Sequence, residues 1–217
     1  MQLTHLVGHV PGTPRWSPDG QRIVFEMGSG RQSDLYLISA QGGQPKQLTN
    51  TPYNKAAPCF SRDGKWIYFG STYSGDSQVW KLPAKGGDAV QVTRKSGSNP
   101  LESMDGKTLF YLKPKEPHDV ELWKVPIEGG DESRVLEAIY KDNFDVKQRG
   151  IYYASKPDQN GTPFLFYDFG SGMTKHIATI RKDVEWGFTV SPDERWILFT
   201  QEGIEERSEL MLVENFH

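Results

Sequence analysis

One short turn, Ser-Pro-Asp-Gly, returns along this chain at a nearly fixed interval, and such self-similarity marks a fold assembled from copies of one supersecondary unit. Trp16-Ser17-Pro18-Asp19-Gly20 recurs as Phe60-Ser61-Arg62-Asp63-Gly64, Glu102-Ser103-Met104-Asp105-Gly106 and Val190-Ser191-Pro192-Asp193-Glu194, a period of 42 to 44 residues. A gap of two periods separates the third and fourth copies, and the worn sequence Val146-Lys147-Gln148-Arg149-Gly150 fills it. The chain of 217 residues therefore reads as one β domain of five units, at about 11–50, 55–94, 98–137, 142–179 and 186–217.

Each turn leads into an apolar run: Arg22-Ile23-Val24-Phe25, Trp66-Ile67-Tyr68-Phe69, Thr108-Leu109-Phe110-Tyr111, Ile151-Tyr152-Tyr153 and Trp196-Ile197-Leu198-Phe199. A strand with one wet face alternates, whereas these are apolar at consecutive positions, which predicts cover on both faces. A further strand follows in each unit: Asp34–Ile38, Gln78–Leu82, Glu121–Val125, Phe164–Tyr167 and Glu209–Val213. Glycine pairs such as Gly42-Gly43 and Gly86-Gly87 then reverse the chain, since glycine tolerates the positive backbone angles of tight turns. Short outer strands close four units at Lys46–Thr49, Val90–Thr93, Arg134–Leu136 and Lys175–Ala178.

The fifth unit ends without an outer strand, while Gln2-Leu3-Thr4-His5 at the other terminus matches Gln47-Leu48-Thr49-Asn50. The expected fold class is all-β, a five-bladed β-propeller of four-stranded antiparallel sheets, with residues 2–7 as the strand that completes the last blade. An open solenoid is the structural rival, but it requires polar caps and an unpaired outer edge. Twenty-six aromatic residues supply the area for such stacking, and the single Cys59 excludes an internal disulfide. A net charge of -3 argues against a nucleic-acid surface, and no apolar run reaches the length of a membrane span.

Ser-Pro-Asp-Gly with its apolar strand, the Asp-Leu-Tyr-type strand, Gly-Gly and Gln-Leu-Thr together resemble the TolB-type, WD-like propeller repeat over essentially the whole chain. Pro11–Gly20, Val79–Ala84 and Leu210–Phe216 resemble the C-terminal propeller of bacterial transcriptional regulators that carry an N-terminal winged helix. That resemblance implies a sensory or interaction module, cytoplasmic or periplasmic according to what precedes it.

The aspartates of the turns, Asp19, Asp63, Asp105 and Asp193, are expected to accept backbone N–H bonds. Asp34, Glu121 and Glu209 align at the start of the third strands, where other units have Gln78 and Phe164, so a strand-opening structural role is expected over an acidic ring. No Gly-x-Ser-x-Gly elbow, His-Glu-x-x-His pair or phosphate loop occurs, and the five histidines lack ligand spacing, so no cofactor or metal is expected. Cys59 reads as a small apolar side chain on an inner strand. Glu102, Asp142, Asp145 and Glu185 keep open an enzymatic alternative, a glycosidase-like propeller working through paired carboxylates. A propeller detached from a prolyl-oligopeptidase-type peptidase is the other enzymatic alternative, and a structural fragment that self-associates through open blade edges is a third class.

The leading expectation is a non-enzymatic, monomeric module holding a protein, peptide or small polar ligand where the loops enter the inner strands. The candidate residues are Arg15, Tyr53, Asn54, Asn99, Glu102, Asp142, Asn143, Glu185 and Trp186, with His9, Lys55, Ser98 and Lys141 beside them. Glu102 stands where the aligned units have Trp16, Phe60 or Val190, so it is expected either to find a cation, Arg15 or Lys141, or to face water.

Overall fold

The computed structural model of the protein describes residues 3, 4, 10–29, 32–116, 119–203 and 208–214. Among them are nineteen strands and no helix, in five antiparallel sheets of the all-β propeller class, each sheet one blade. The first sheet holds β1 (Val10–Trp16), β2 (Arg22–Ser29), β3 (Gln32–Ser39) and β4 (Lys46–Gln47). The second holds β5 (Lys55–Phe60), β6 (Trp66–Ser71), β7 (Gln78–Pro83) and β8 (Val90–Gln91). The third holds β9 (Ser98–Glu102), β10 (Thr108–Glu116), β11 (Asp119–Pro126) and β12 (Ser133–Tyr140). The fourth holds β13 (Phe144–Val146), β14 (Gly150–Ala154), β15 (Thr162–Asp168) and β16 (Thr174–Ile180). The last has β17 (Val184–Val190), β18 (Trp196–Glu202) and β19 (Ser208–Glu214). Within every sheet the strands lie side by side in chain order, a plain meander.

By backbone proximity the chain forms two compact units, residues 1–113 with 124–133 and residues 114–123 with 134–217. In the first unit, Val24 and Leu35 of the first sheet pack with Phe60, Ile67, Phe69, Trp80 and Leu82 of the second. Ile23, Phe25, Met27 and Ile38 form a separate cluster within the first sheet, joined by Leu3. Successive residues of β2 thus enter different clusters, which is why the run is apolar without alternation. Burying an aliphatic side chain as fully as Val24, Leu35 or Ile67 contributes about 1.5–3 kcal/mol. In the second unit Phe164 stacks edge-on against both Phe188 and Phe199, at 5.1 Å each, in the cluster that joins the fourth sheet to the fifth.

The turns follow their expected chemistry. Ser61 Oγ accepts the Trp66 N–H at 2.9 Å and donates to Asp63 at 2.7 Å, and Asp63 accepts the Lys65 N–H at 3.0 Å. Gly64, at φ 69°, completes the reversal. The same pattern surrounds Ser17, Ser103 and Ser191. The Ser61 hydroxyl and the Lys65 N–H hold the Asp63 carboxyl at about 2, below its ordinary 3.8. Because the folded value is depressed, the turn stabilises the protein fully above the unfolded value and progressively less as pH falls towards the folded one. Thermal stability is therefore expected to decline between pH 3.8 and about 2. A carboxyl NMR titration placing Asp63 near 3.8 in the wild type, or leaving it unmoved in Ser61→Ala, would contradict this account.

The third strands open as expected, with a refinement. Asp34 accepts the Thr49 hydroxyl at 2.8 Å, and that hydroxyl accepts the Leu35 N–H at 2.9 Å. Gln78 and Thr93 repeat the device around the Val79 N–H. Each threonine hydroxyl takes over a ladder position, so β4 and β8 are only two residues long. The closing strand expected at residues 2–7 falls largely outside the described residues. Leu3 and Thr4 carry no strand assignment, and the last sheet has three strands among the described residues.

Candidate functional site

In the first unit the first strand of each sheet is broken by a bulge. Thr13, Ala57 and Asn99 adopt positive φ of 35°, 50° and 47°, each directly before a proline. Gly187 has the corresponding position in β17 of the second unit at φ 126°. The ladder register shifts there between Gly12 and Arg15, between Ala56 and Cys59, and between Val184 and Phe188. Left-handed backbone is costly for β-branched Thr13, and bulges of this kind redirect the side chains around them.

Polar side chains hold the chain beside these bulges, within a sheet at Glu26 and between sheets at Glu102. Glu26 accepts the Thr13 hydroxyl and is half-buried, and burial pushes its carboxyl up. Glu102, only 6% exposed, accepts the Arg62 backbone N–H, while the Arg62 guanidinium donates to the Glu102 carbonyl at 3.1 Å. Burial raises the Glu102 carboxyl, opposed by the Arg62 N–H. The Glu102 carboxylate thus takes a backbone N–H, that of Arg62, rather than the expected cation, Arg15 or Lys141, or water. Burial, followed by the nearby Glu102 charge, also raises the Tyr68 hydroxyl. Cys59 is buried, its Sγ donates to the Pro100 carbonyl at 2.9 Å, and burial pushes its thiol up to about 12. Such a thiol is inert at neutral pH.

The remaining candidates of the first unit differ in exposure. Arg15 is exposed on β1. Asn99 is half-buried within its bulge. Tyr53 and Asn54 are exposed, and Asn54 accepts the Ser33 hydroxyl at 2.6 Å. Lys55 is not a loop cation in water. Its side chain is 3% exposed, and its ammonium donates to Asp34 at 2.9 Å and to the carbonyls of Thr51 at 2.7 Å and Tyr53 at 2.5 Å.

The second unit brings its candidates together. Lys141 donates to Asp183 at 3.1 Å and to Glu185 at 2.8 Å, and lies over the rings of Tyr140 and Trp186 at 5.2 and 5.4 Å. Burial works to lower the Lys141 ammonium, but the hydrogen bonds to Glu185 and Asp183 outweigh it and raise its value. Asn143, 1% exposed, donates to the Glu185 carbonyl at 2.9 Å and accepts the Gly187 N–H at 3.1 Å, so it braces the loop. Asp142 stands at φ 58° beside it. Trp186 is 63% exposed. A large apolar ring kept in water by a fixed cation is the group here most suited to contact a partner.

Two features escaped sequence reasoning. Glu26 gave no sign, because its acceptor role depends on the bulge in a neighbouring strand. The bulges themselves had a readable sign: Thr-Pro, Ala-Pro and Asn-Pro stand at one offset, four residues before the turn serine. Among the described residues no cluster of three or more His, Cys, Asp or Glu could hold a metal ion.

Comparison with known proteins agrees with the repeat. Residues 2–144 match the family described as TolB beta propeller domain. An uncharacterized protein of Agrobacterium fabrum is 29% identical over 101 residues, covering 41% of this chain and 34% of that protein. An uncharacterized peptidase of Bacillus subtilis, YuxL, is 40% identical over 75 residues, covering 30% of this chain and 11% of the peptidase. The crystal structure of TolB from Acinetobacter baumannii superposes with a TM-score of 0.73 at 17% identity, covering 94% of this chain and 52% of that one. The chain thus spans about a third or less of these two relatives by sequence and about half of the solved structure.

Proposed function

Because the chain belongs to the TolB β-propeller domain family, we propose that it is a non-enzymatic recognition module that holds a protein, peptide or small polar ligand at the loops leading into the first strands of its sheets. The observation that carries this reading is Trp186, 63% exposed with the Lys141 ammonium fixed over it. Exposed tryptophan beside a held charge is the composition of an interface anchor, where one residue contributes a large share of affinity. Two of the carboxylates open to catalytic use make structural contacts. Glu185 holds Lys141, and Asp145 accepts the Val190 N–H at 2.8 Å and pairs with Lys147 at 3.0 Å. A narrower form, in which the module is the C-terminal sensory part of a bacterial transcriptional regulator, rests on the resemblance of Pro11–Gly20, Val79–Ala84 and Leu210–Phe216 alone, and the relatives compared add nothing to it.

A displayed-peptide selection against the purified protein tests the reading. Selected peptides should bind Trp186→Ala about 30-fold more weakly, the loss of about 2 kcal/mol typical of an anchor, with an unchanged melting curve. Peptides that bind wild type and Trp186→Ala equally would exclude this anchor. The second reading, a propeller attached to a hydrolase, is favoured by the similarity to the Bacillus subtilis peptidase. It predicts turnover of a peptide or glycan substrate by the full-length protein. Turnover by this chain alone, abolished by Glu185→Gln, would overturn the non-enzymatic assignment.

A further inference from the structure

An open cleft of the second unit lies beside the Trp186 ring and narrows what a recognition site there would hold. Its volume is about 1010 Å³, at the upper end of the range for small-ligand sites. Three segments wall it: Tyr140 at the end of β12, the loop at 157–161 between β14 and β15, and the connection at 181–183 between β16 and β17. Lys141 links cleft and ring, since the ammonium that hydrogen-bonds the Asp183 carboxylate of the wall also lies over Trp186.

The walls are fixed by the protein's own contacts. Asp158 and Gly161 exchange backbone hydrogen bonds at 2.9 and 3.1 Å, so Gln159 and Asn160 form the tip of a closed two-residue turn. The Asp158 carboxylate accepts the Asn160 N–H at 2.7 Å and stiffens that tip. Gly161, at φ 129°, seats the turn against the Ile180 carbonyl with no room for a Cβ, which sets the spacing of the two loops. On the third side the Tyr140 hydroxyl donates to Asp183 at 2.9 Å. Walls already ordered lower the entropic cost of binding.

Charge and hydrogen-bonding capacity point to one ligand class. Arg181 and Lys182 balance Asp158 and Asp183 along the lining, so neither an anion nor a cation is favoured overall. A cation is disfavoured further at Trp186, whose ring already faces the Lys141 ammonium. Among the described residues the Arg181, Lys182 and Asn160 side chains have no protein partner, and Asp183 keeps acceptor capacity beyond its bonds to Tyr140 and Lys141. Hydroxyl groups, each both donor and acceptor, match such a wall, and the C–H face of a sugar ring matches an exposed indole. Tyr140 and Pro157 are the main apolar groups of the lining, which leaves little to receive the side chains of a peptide. We propose, resting on the recognition reading of Trp186, that the ligand is a neutral oligosaccharide, one ring stacked on Trp186 and the next in the cleft with its hydroxyls on Asn160, Arg181 and Asp183.

The test is a titration of the full chain with maltohexaose, cellohexaose and N-acetylchitohexaose, following the Trp186 indole N–H resonance by NMR, with its signal assigned from Trp186→Ala. At least one of the three sugars should shift that resonance and saturate at millimolar concentration. Trp186→Ala and Arg181→Ala, both at exposed positions, should each weaken its binding about tenfold while melting as the wild type does. A resonance unmoved by all three sugars at about 10 mM, or undiminished binding in either variant, would overturn the proposal. Selected peptides that depend on Trp186 while no sugar binds would overturn the oligosaccharide assignment and leave the recognition reading standing.

Discussion

Lys55→Ala should lower the unfolding free energy by about 3–5 kcal/mol, among the largest effects of any single side chain in this protein. The substitution strands Asp34, whose side chain is 10% exposed, without its cation 2.9 Å away, and leaves the carbonyls of Thr51 and Tyr53 without their donor. For a chain of this length the melting temperature should fall by roughly 10 °C. A buried pair is hard to lose by halves and easier to lose whole. Adding Asp34→Asn to Lys55→Ala should therefore recover part of the loss, since a neutral amide keeps the Thr49 hydrogen bond without the stranded charge. Chemical denaturation of the two single variants and the double variant measures the coupling. A cost below about 1 kcal/mol for Lys55→Ala would show a solvated, dispensable pair instead.

Gly150→Ala should be at least as damaging as an ordinary core truncation, about 3 kcal/mol or more, for a steric reason. An added Cβ would stand 2.1 Å from the Tyr167 carbonyl oxygen and 2.5 Å from the Phe166 ring. Gly150 is paired with Asp168 where β14 meets β15, so relief requires the backbone of one strand to move. Gly20→Ala is the control. At φ 66° it incurs conformational strain, but nothing lies within 4 Å of the new atom, so about 1 kcal/mol is expected. Equal melting temperatures for the two variants would mean that the close approach at Gly150 is relieved without cost.

The fourth turn keeps its shape although it has lost both signature residues. Without serine and aspartate, Lys147 still closes it through its N–H to the Gly150 carbonyl at 2.9 Å, and its ammonium reaches the Val190 carbonyl at 2.6 Å. Period, apolar run and turn are local features, so the chain displays them in order and the sheets could be anticipated strand by strand. What stayed hidden depends on pairs distant in sequence. Glu102 was recognisable as anomalous from its apolar counterparts, but its partner Arg62, forty positions away, depends on how β9 lies against the turn after β5. Lys55 looked like a solvated loop cation because lysine usually is one, and only the convergence of Asp34 with two carbonyls reverses that. Of the candidate residues, Trp186 is exposed, whereas Asn143 braces its loop, a contact that only the fold reveals.

The shortness of β4 and β8 has a bearing on how the protein behaves when crowded with its own kind. Two residues of outer strand offer almost no free backbone for a foreign strand to copy, because the threonine hydroxyls have already claimed the next positions. The fourth strands of the third and fourth sheets, eight and seven residues long, would be the natural templates for aggregation. They carry Arg134, Glu137, Lys175 and His176 on their exposed positions, and polar or charged side chains there make a second copy an unfavourable neighbour.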